Sequence, residues 1–309
     1  MSTYIIYIIQ PLFLLLLAPL FIGILNKTKA CFRGYTGASI FQLYYDLSKL
    51  IKKGEVISAS SSFVTKIGPL LTLVAAVSCA FVIPVFYTSR ESIFGNIFVI
   101  FFTLGIIKFV TSLIGLDSAS TFGGMGSSRE LFISMLVEPI MFVVVTFLFI
   151  ETKSFNIFTI ASTNSTQLSF GPGHVLAALA FFILVLAENA RMPLDNPETH
   201  LELTMVHEAM ILDLSGKRLA FVELASAIKL VLFLTILING FLPYGIAMEF
   251  NLLTIALALA LYIVKIMILL FAIALLETTM AKFRLFKVPE LLTFAFSIGI
   301  VSIIINHYM

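Results

Sequence analysis

Long apolar runs alternate with short polar stretches along the whole chain. A helix that crosses a bilayer needs about 20 mostly apolar residues, since its backbone polar groups must all be paired inside the segment. Eight runs are candidates: 4–25, 67–88, 93–116, 131–150, 174–190, 219–240, 252–276 and 289–306. The pattern predicts an all-α, polytopic integral membrane protein of eight transmembrane helices, with 1–309 as a single membrane domain. The first run lacks a basic leader and is too long for a cleavable signal. Gly171-Pro172-Gly173 punctuates the entry to the fifth run, and Pro243 follows the sixth. No internal repeat is long enough to suggest an inverted-repeat transporter.

Composition supports the pattern. Hydrophobic residues make up 60% of the chain and charged residues 12%. A soluble fold cannot hide that much apolar surface, and disordered, collagenous and disulfide-framework classes are excluded with it. The net charge of +2 gives no reason to expect a nucleic-acid partner. The two cysteines, Cys31 and Cys79, lie 48 residues apart. An iron–sulfur cluster wants about four thiolates and a structural zinc four ligands. None of His174, His200, His207 and His307 lies deep in an apolar run, where a membrane haem would need it. The chain is therefore expected to hold no metal or redox centre of its own.

Charge distribution sets the expected orientation. The segment 26–66 carries Lys27, Lys29, Arg33, Lys49, Lys52, Lys53 and Lys66. Loop 117–130 adds Arg129, loop 191–218 adds Arg191, Lys217 and Arg218, and loop 277–288 adds Lys282, Arg284 and Lys287. These alternate loops hold 14 of the 19 basic residues, against Arg90 and Lys153 in the intervening ones. Positive loops stay in the cytoplasm, so both termini are expected outside, in a multi-pass protein of the cytoplasmic membrane. Within 26–66, Phe41, Tyr44, Tyr45, Leu47, Leu50 and Ile51 interleave with Asp46, Lys49, Lys52 and Lys53. That pattern suits an amphipathic helix on the inner face.

The 191–218 loop holds five acids: Asp195, Glu198, Glu202, Glu208 and Asp213. Asp195-Asn196-Pro197-Glu198 reads as a helix start. Glu198 and Glu202 would share one helical face, as would His200 and His207. His207-Glu208 begins an H-E-x-x-H motif, but Ile211 stands where the second histidine must be, so a zinc-protease reading fails.

The stretch AENARMPLDNPETHLELTMVHEAMILDLSG (187–216) resembles the signature of the membrane subunit of group 4 membrane-bound nickel–iron hydrogenases, of the hydrogenase-4 component C type. More distantly it resembles the H subunit of bacterial respiratory complex I and the matching subunit of formate hydrogenlyase. Three further segments agree: GLDSASTFGGMGSSRE (115–130), which contains Asp117 and Arg129; FRGYTGASIFQLYYDLSKLIKK (32–53), with Arg33, Gln42, Asp46 and Lys49; and FAIALLETTMAKFRLFKVPE (271–290), with Glu277. The resemblance covers essentially the whole chain. It implies a non-catalytic anchor and coupling subunit that docks a peripheral arm of hydrogenase-like large and small subunits. Iron–sulfur clusters, and nickel–iron in the hydrogenase branch, would belong to those partners. Antiporter-like membrane subunits would move protons or sodium. The docking surface would comprise Arg33, Gln42, Asp46, Lys49, Asp117 and Arg129 together with Arg191, Asp195, Glu198, His200, Glu202, His207, Glu208 and Asp213.

The chain departs from the complex I pattern in the loops that line that family's quinone chamber. His200 replaces a glutamate, about three extra residues bring in His207-Glu208, and Gly34-Tyr35-Thr36-Gly37 stands where a Gly-Pro-rich segment is usual. A quinone-binding respiratory subunit is the alternative reading, and a stand-alone ion transporter a third.

Ionisable residues inside apolar runs cost about 2.5–3.5 kcal/mol each on insertion scales, so each is a functional candidate. Glu138 lies about eight residues into the fourth run, roughly 12 Å deep at 1.5 Å per residue, and Pro139 follows it. Lys229 and Lys265 lie inside the sixth and seventh runs, and Lys108 toward the inner end of the third. Glu188 and Glu223 sit close to the inner surface, with Glu130 and Glu277 at it. Together these eight are expected to line a path from the inner face toward the midplane. Carboxylates beside lysines shift one another's proton affinity, as a relay requires. Snorkelling to the interface and static ion pairing are the structural alternatives.

Overall fold

The computed structural model describes residues 2–308 apart from 59, 89–94, 167–170 and 196–204. Among the described residues it is built from helices, with no strand beyond two isolated bridges. In chain order these are α1 (Ser2–Phe32), α2 (Gln42–Lys52), α3 (Phe63–Val82), α4 (Ile97–Asp117), α5 (Thr121–Thr152), α6 (Ile157–Thr166), α7 (Pro172–Glu188), α8 (His207–Ile211), α9 (Gly216–Phe241), α10 (Leu252–Thr279) and α11 (Val288–Tyr308), the last entered through a 3-10 turn at Leu285–Lys287.

Seven of these are long and apolar enough to cross a membrane: α1, α3, α4, α5, α9, α10 and α11. The chain is thus a polytopic, membrane-integral protein. The fifth expected span is the apolar but shorter α7, of 17 residues, at the lower limit of a spanning helix. Several boundaries move for physical reasons. α1 runs about two turns past residue 25, through Lys29, because that lysine is paired inside the protein. α5 begins at Thr121, a full ten residues before its apolar run. Its first turns are small and polar, and they pack closely on α4. A Cβ on Gly123 would lie 2.3 Å from the Gly115 carbonyl oxygen, and Ser127 Oγ donates to Ser112 O at 2.9 Å. The second span stops at Val82, and the chain then bends before Tyr87 pairs with Ala247.

α9 is the central helix. Every residue from Ala227 to Phe241 is buried, with α1, α2, α3, α6 and α7 packed around it. α11 rests on α7 and α5, and α10 on α1. α2 is the expected amphipathic helix: Leu47 is its buried residue, it packs on α1 and α9, and Lys49 and Lys52 are exposed.

The basic loops meet at one end of the bundle. There Val56 N–H donates to Ser215 Oγ at 2.8 Å, Lys282 bridges to Asp195 at 2.7 Å, and Phe283 N–H donates to Pro193 O at 2.9 Å. At the opposite end Gln10 Oε1 accepts from the N–H groups of Val85, Phe86 and Tyr87 at 2.8, 3.0 and 3.1 Å. Both chain ends lie there too: α11 approaches the start of α7, where Gly173 packs against Ser302 and Asn306.

Candidate functional site

Four helices each bring one charged side chain to a common point near the basic-loop end. Lys108 of α4 contacts Glu130 of α5 at 3.1 Å and Glu188 of α7 at 3.2 Å. The other oxygen of Glu188 meets Lys229 of α9 at 3.2 Å. Lys229 also donates to the Glu188 backbone carbonyl at 2.8 Å, and its ammonium lies 5.8 Å from the Phe233 ring centroid. Lys108, Glu130 and Lys229 are buried, and the Glu188 side chain keeps 14% of its surface. Two lysines and two glutamates leave the quartet formally neutral. Removing each ion from water costs several kcal/mol, so the cluster stands only because every charge has a partner at hydrogen-bond distance. Such alternation lets one proton change hands between a carboxylate and an ammonium with little change in net charge, and ties each group's charge to its neighbours'.

The quartet forms part of the wall of a cavity of about 270 Å³ beneath α8 and the 189–191 turn. Glu223, Glu208, His207, Lys29 and Arg191 line it as well. A second charged group closes one side: Lys29 of α1 bridges to Glu277 of α10 at 2.9 Å, and Arg191 reaches the same carboxylate at 3.4 Å. Lys29 and Glu277 are both buried. Lys29 was missed as a site residue because its apolar run ends four residues earlier. The signal was present: Leu14, Ala18, Phe21 and Leu25 are buried at spacings of three and four, and Lys29 continues that face.

The other expected residues take different places. Asp195 is buried; besides Lys282 it accepts the N–H groups of Val206 at 3.2 Å and His207 at 3.1 Å. Arg129 donates to Met205 O at 3.2 Å. Glu198, His200 and Glu202 lie outside the described residues. Asp117 holds the start of α3: it accepts from Ser62 N at 2.9 Å, Ser62 Oγ at 2.5 Å, Thr65 N at 3.0 Å and Thr65 Oγ1 at 2.6 Å. Gln42 donates to Asp46 along α2 at 3.0 Å, and Arg33, Lys49 and Asp213 are exposed at the basic-loop end.

Two residues lie apart from the quartet and its cavity. Lys265 donates to the carbonyls of Leu242, at 2.6 Å, and Tyr244. It thus caps the far end of α9, 13 residues and about 20 Å along the helix axis from Lys229. Glu138 is exposed on α5. It follows Glu130 by eight residues, which turns it roughly 80° around the helix from the quartet. It lines a second cavity of about 210 Å³ that also reaches Lys108 and Glu188. At the opposite end, a pair that sequence reasoning passed over joins Glu151 to His174 at 3.0 Å, with His174 Nε2 2.9 Å from Phe241 O. Both residues fall at the margins of apolar runs, where a depth argument gives them no weight.

Fold and site together define a membrane-integral helical subunit with a buried ion-pair cluster beneath a charged loop surface. The chain belongs to the NADH dehydrogenase family, whose model matches residues 4–307. It is 29% identical over 291 residues to hydrogenase-4 component C of Escherichia coli (strain K12), covering 94% of this chain and 91% of that protein. It is 28% identical over 286 residues to formate hydrogenlyase subunit 4 of the same organism, covering 92% of each. Among solved structures, a chain of the membrane-bound sulfane sulfur reductase, an archaeal respiratory membrane complex, superposes with a TM-score of 0.83 at 17% identity, over 98% of this chain and 99% of that one. At that identity the likeness establishes the fold. The resemblance read from the 187–216 stretch is borne out by the family match and the two bacterial relatives.

Proposed function

We propose that the chain is the membrane-anchor and coupling subunit of a hydrogenase-4-like, complex I-related assembly. Its basic-loop end faces the cytoplasm and docks a peripheral redox arm. The arm's hydrogenase-like large and small subunits carry iron–sulfur clusters and nickel–iron. Its helices pass the energy of the redox step to antiporter-like subunits that move protons or sodium across the cytoplasmic membrane. The observation that carries this reading is the Lys108–Glu130–Glu188–Lys229 quartet, placed directly under the loops that would meet the arm. A charge arriving above the cavity is felt by four mutually bonded groups on four helices, so protonation there converts a redox event into a shift of buried charge. Deleting the chain tests the proposal. The redox arm should leave the membrane fraction with its artificial-acceptor activity intact, and redox-driven ion movement should vanish. A membrane-retained arm that still drives ion movement would refute the role.

The cavity also favours a second reading, because His207 and Arg191 give its wall two donors of the kind a quinone's carbonyls need. Quinone, when bound, would act as electron acceptor. Stoichiometric quinone extracted from the purified complex, lost in His207→Ala, would support that reading.

A further inference from the structure

The last carbonyls of a helix have no partner within it. In α9, three successive ones are met by side chains from three other helices. Asn164 of α6 donates to Gly240 O at 2.9 Å, His174 Nε2 of α7 lies 2.9 Å from Phe241 O, and Lys265 of α10 donates to Leu242 O at 2.6 Å. The second of these contacts fixes where the imidazole protons are. A carbonyl only accepts, so Nε2 carries a hydrogen. Nδ1 then faces both oxygens of Glu151 of α5, at 3.0 and 3.2 Å. An imidazole lone pair set against a carboxylate is repelled, so this contact requires a proton between the two groups. On the ring it makes an ion pair, and on the carboxyl a neutral hydrogen bond; either way the pair titrates as a unit. The ring is buried against Phe147 and Phe241, at centroid distances of 6.1 and 5.3 Å. The Glu151 side chain keeps 11% of its surface, in the last turn of α5, so the proton exchanges with the solution at that end. Asn164 does not titrate, and Lys265 keeps N–H donors whether or not it is charged. Of these contacts, only Glu151–His174 stands or falls with one proton. The other titratable groups around it, among the described residues, are Tyr244, whose phenol feels the Glu151 charge, Lys265 itself, and the exposed Lys153 and His307 near the ends of α5 and α11.

We infer that Glu151 and His174 form a proton-binding site at the end of the bundle opposite the basic loops, and that its occupancy ties α5, α7 and α9 together there. The same three helices carry Glu130, Glu188 and Lys229 toward their other ends. His174 lies 14 residues and about 21 Å from Glu188, and Phe241 lies 12 residues and about 18 Å from Lys229. With the proton bound, the three helices are clasped. Without it, the lone pair and the carboxylate repel, and α5 is released from α7. The site thus senses proton concentration on the outer side and acts on helices that hold the quartet. The proton site stands on its own geometry, and its effect on coupling rests on the role proposed above for the quartet.

The test uses the intact complex. In Glu151→Gln the amide donates to Nδ1 without a titrating proton, while Nε2 still donates to Phe241 O. Amide-hydrogen protection over the last turn of α5 and the first turn of α7, corrected for intrinsic exchange, is measured from about pH 6 to about pH 8, where a histidine titrates. It should fall at least fivefold in the native complex and stay flat in Glu151→Gln. Equal pH dependence in the two, or none in the native complex, would overturn the inference. His307→Gln should keep the native fall, and its loss there would overturn the inference too. If Glu151→Gln fails to assemble, the native and His307→Gln profiles decide. In oriented proteoliposomes with the inner pH clamped, raising the outer pH over the same range should change ions moved per electron at least twofold more in the native complex than in Glu151→Gln. Superimposable ratios, with protection behaving as expected, would refute the link to the quartet and leave the proton site standing.

Discussion

Glu188 is the bridge of the quartet, and its replacement by glutamine is the sharpest test of what the cluster does. One oxygen meets Lys108 and the other Lys229, each at 3.2 Å. At an effective dielectric of about 20, each contact carries a gross attraction of roughly 5 kcal/mol. Desolvation offsets most of it, and removing one member of a buried pair costs about 3–5 kcal/mol net because the other charge is stranded. The loss should fall unevenly. Lys108 keeps Glu130 at 3.1 Å, whereas Lys229 keeps, among the described residues, the Glu188 carbonyl at 2.8 Å and the Phe233 ring. Glu188→Gln should therefore destabilise mainly by stranding Lys229. Lys229→Met should destabilise too, by leaving two carboxylates for one lysine. The double variant restores neutrality, and most of the stability should return, a non-additivity of about 2 kcal/mol or more, within the range for groups in one network. Thermal unfolding of purified complexes measures this cycle, and ions moved per electron in proteoliposomes measures coupling. A relay predicts that the double variant is stable and uncoupled. A native ion-to-electron ratio in that variant would make the quartet a static tie. Additive losses would show that Glu188 and Lys229 do not interact as the geometry requires.

Three further outcomes are expected. Engineered cysteines should be labelled from outside near Asn306 and protected near Lys52, and the reverse pattern would sink the cytoplasmic docking surface. Asp117→Ala removes four hydrogen bonds from the start of α3 and should cost about 1–3 kcal/mol; a lower melting temperature at an unchanged ion-to-electron ratio is expected, and a fall in the ratio would give Asp117 a role beyond structure. The purified single chain should show no haem absorbance and no stoichiometric iron by elemental analysis, and one iron per chain would overturn the assignment of redox chemistry to its partners.

How much of this was legible follows from what a linear pattern encodes. Hydropathy gives depth, and depth set Lys108 and Lys229 inside their runs but Glu188 close to the inner surface, so it marked the three as candidates without showing that the structure joins them. It gives no rotation. Glu130 and Glu138 share α5 and both looked inward-facing from depth alone, yet about 80° of helical turn sends one to the quartet and the other to the surface. Rotation can be recovered only by extending the periodicity of buried positions through the polar residue. That operation would have found Lys29, which falls in step with Phe21 and Leu25 and ends up bonded to Glu277. Hydropathy also misses helix that is held by close approach rather than by apolarity. The Gly123–Ser127 turn of α5 is stabilised by small residues against α4 and α8, so the apolar run began ten residues late. The acidic loop shows the opposite limit. Its motif pointed to the right family, but Asp195 reads as an exposed docking acid only while Lys282, 87 residues away, is out of view. Pairing across that separation buries the carboxylate and turns a surface charge into a clasp between two loops. A charge becomes structural or functional through partners distant in sequence, and those are supplied by the fold.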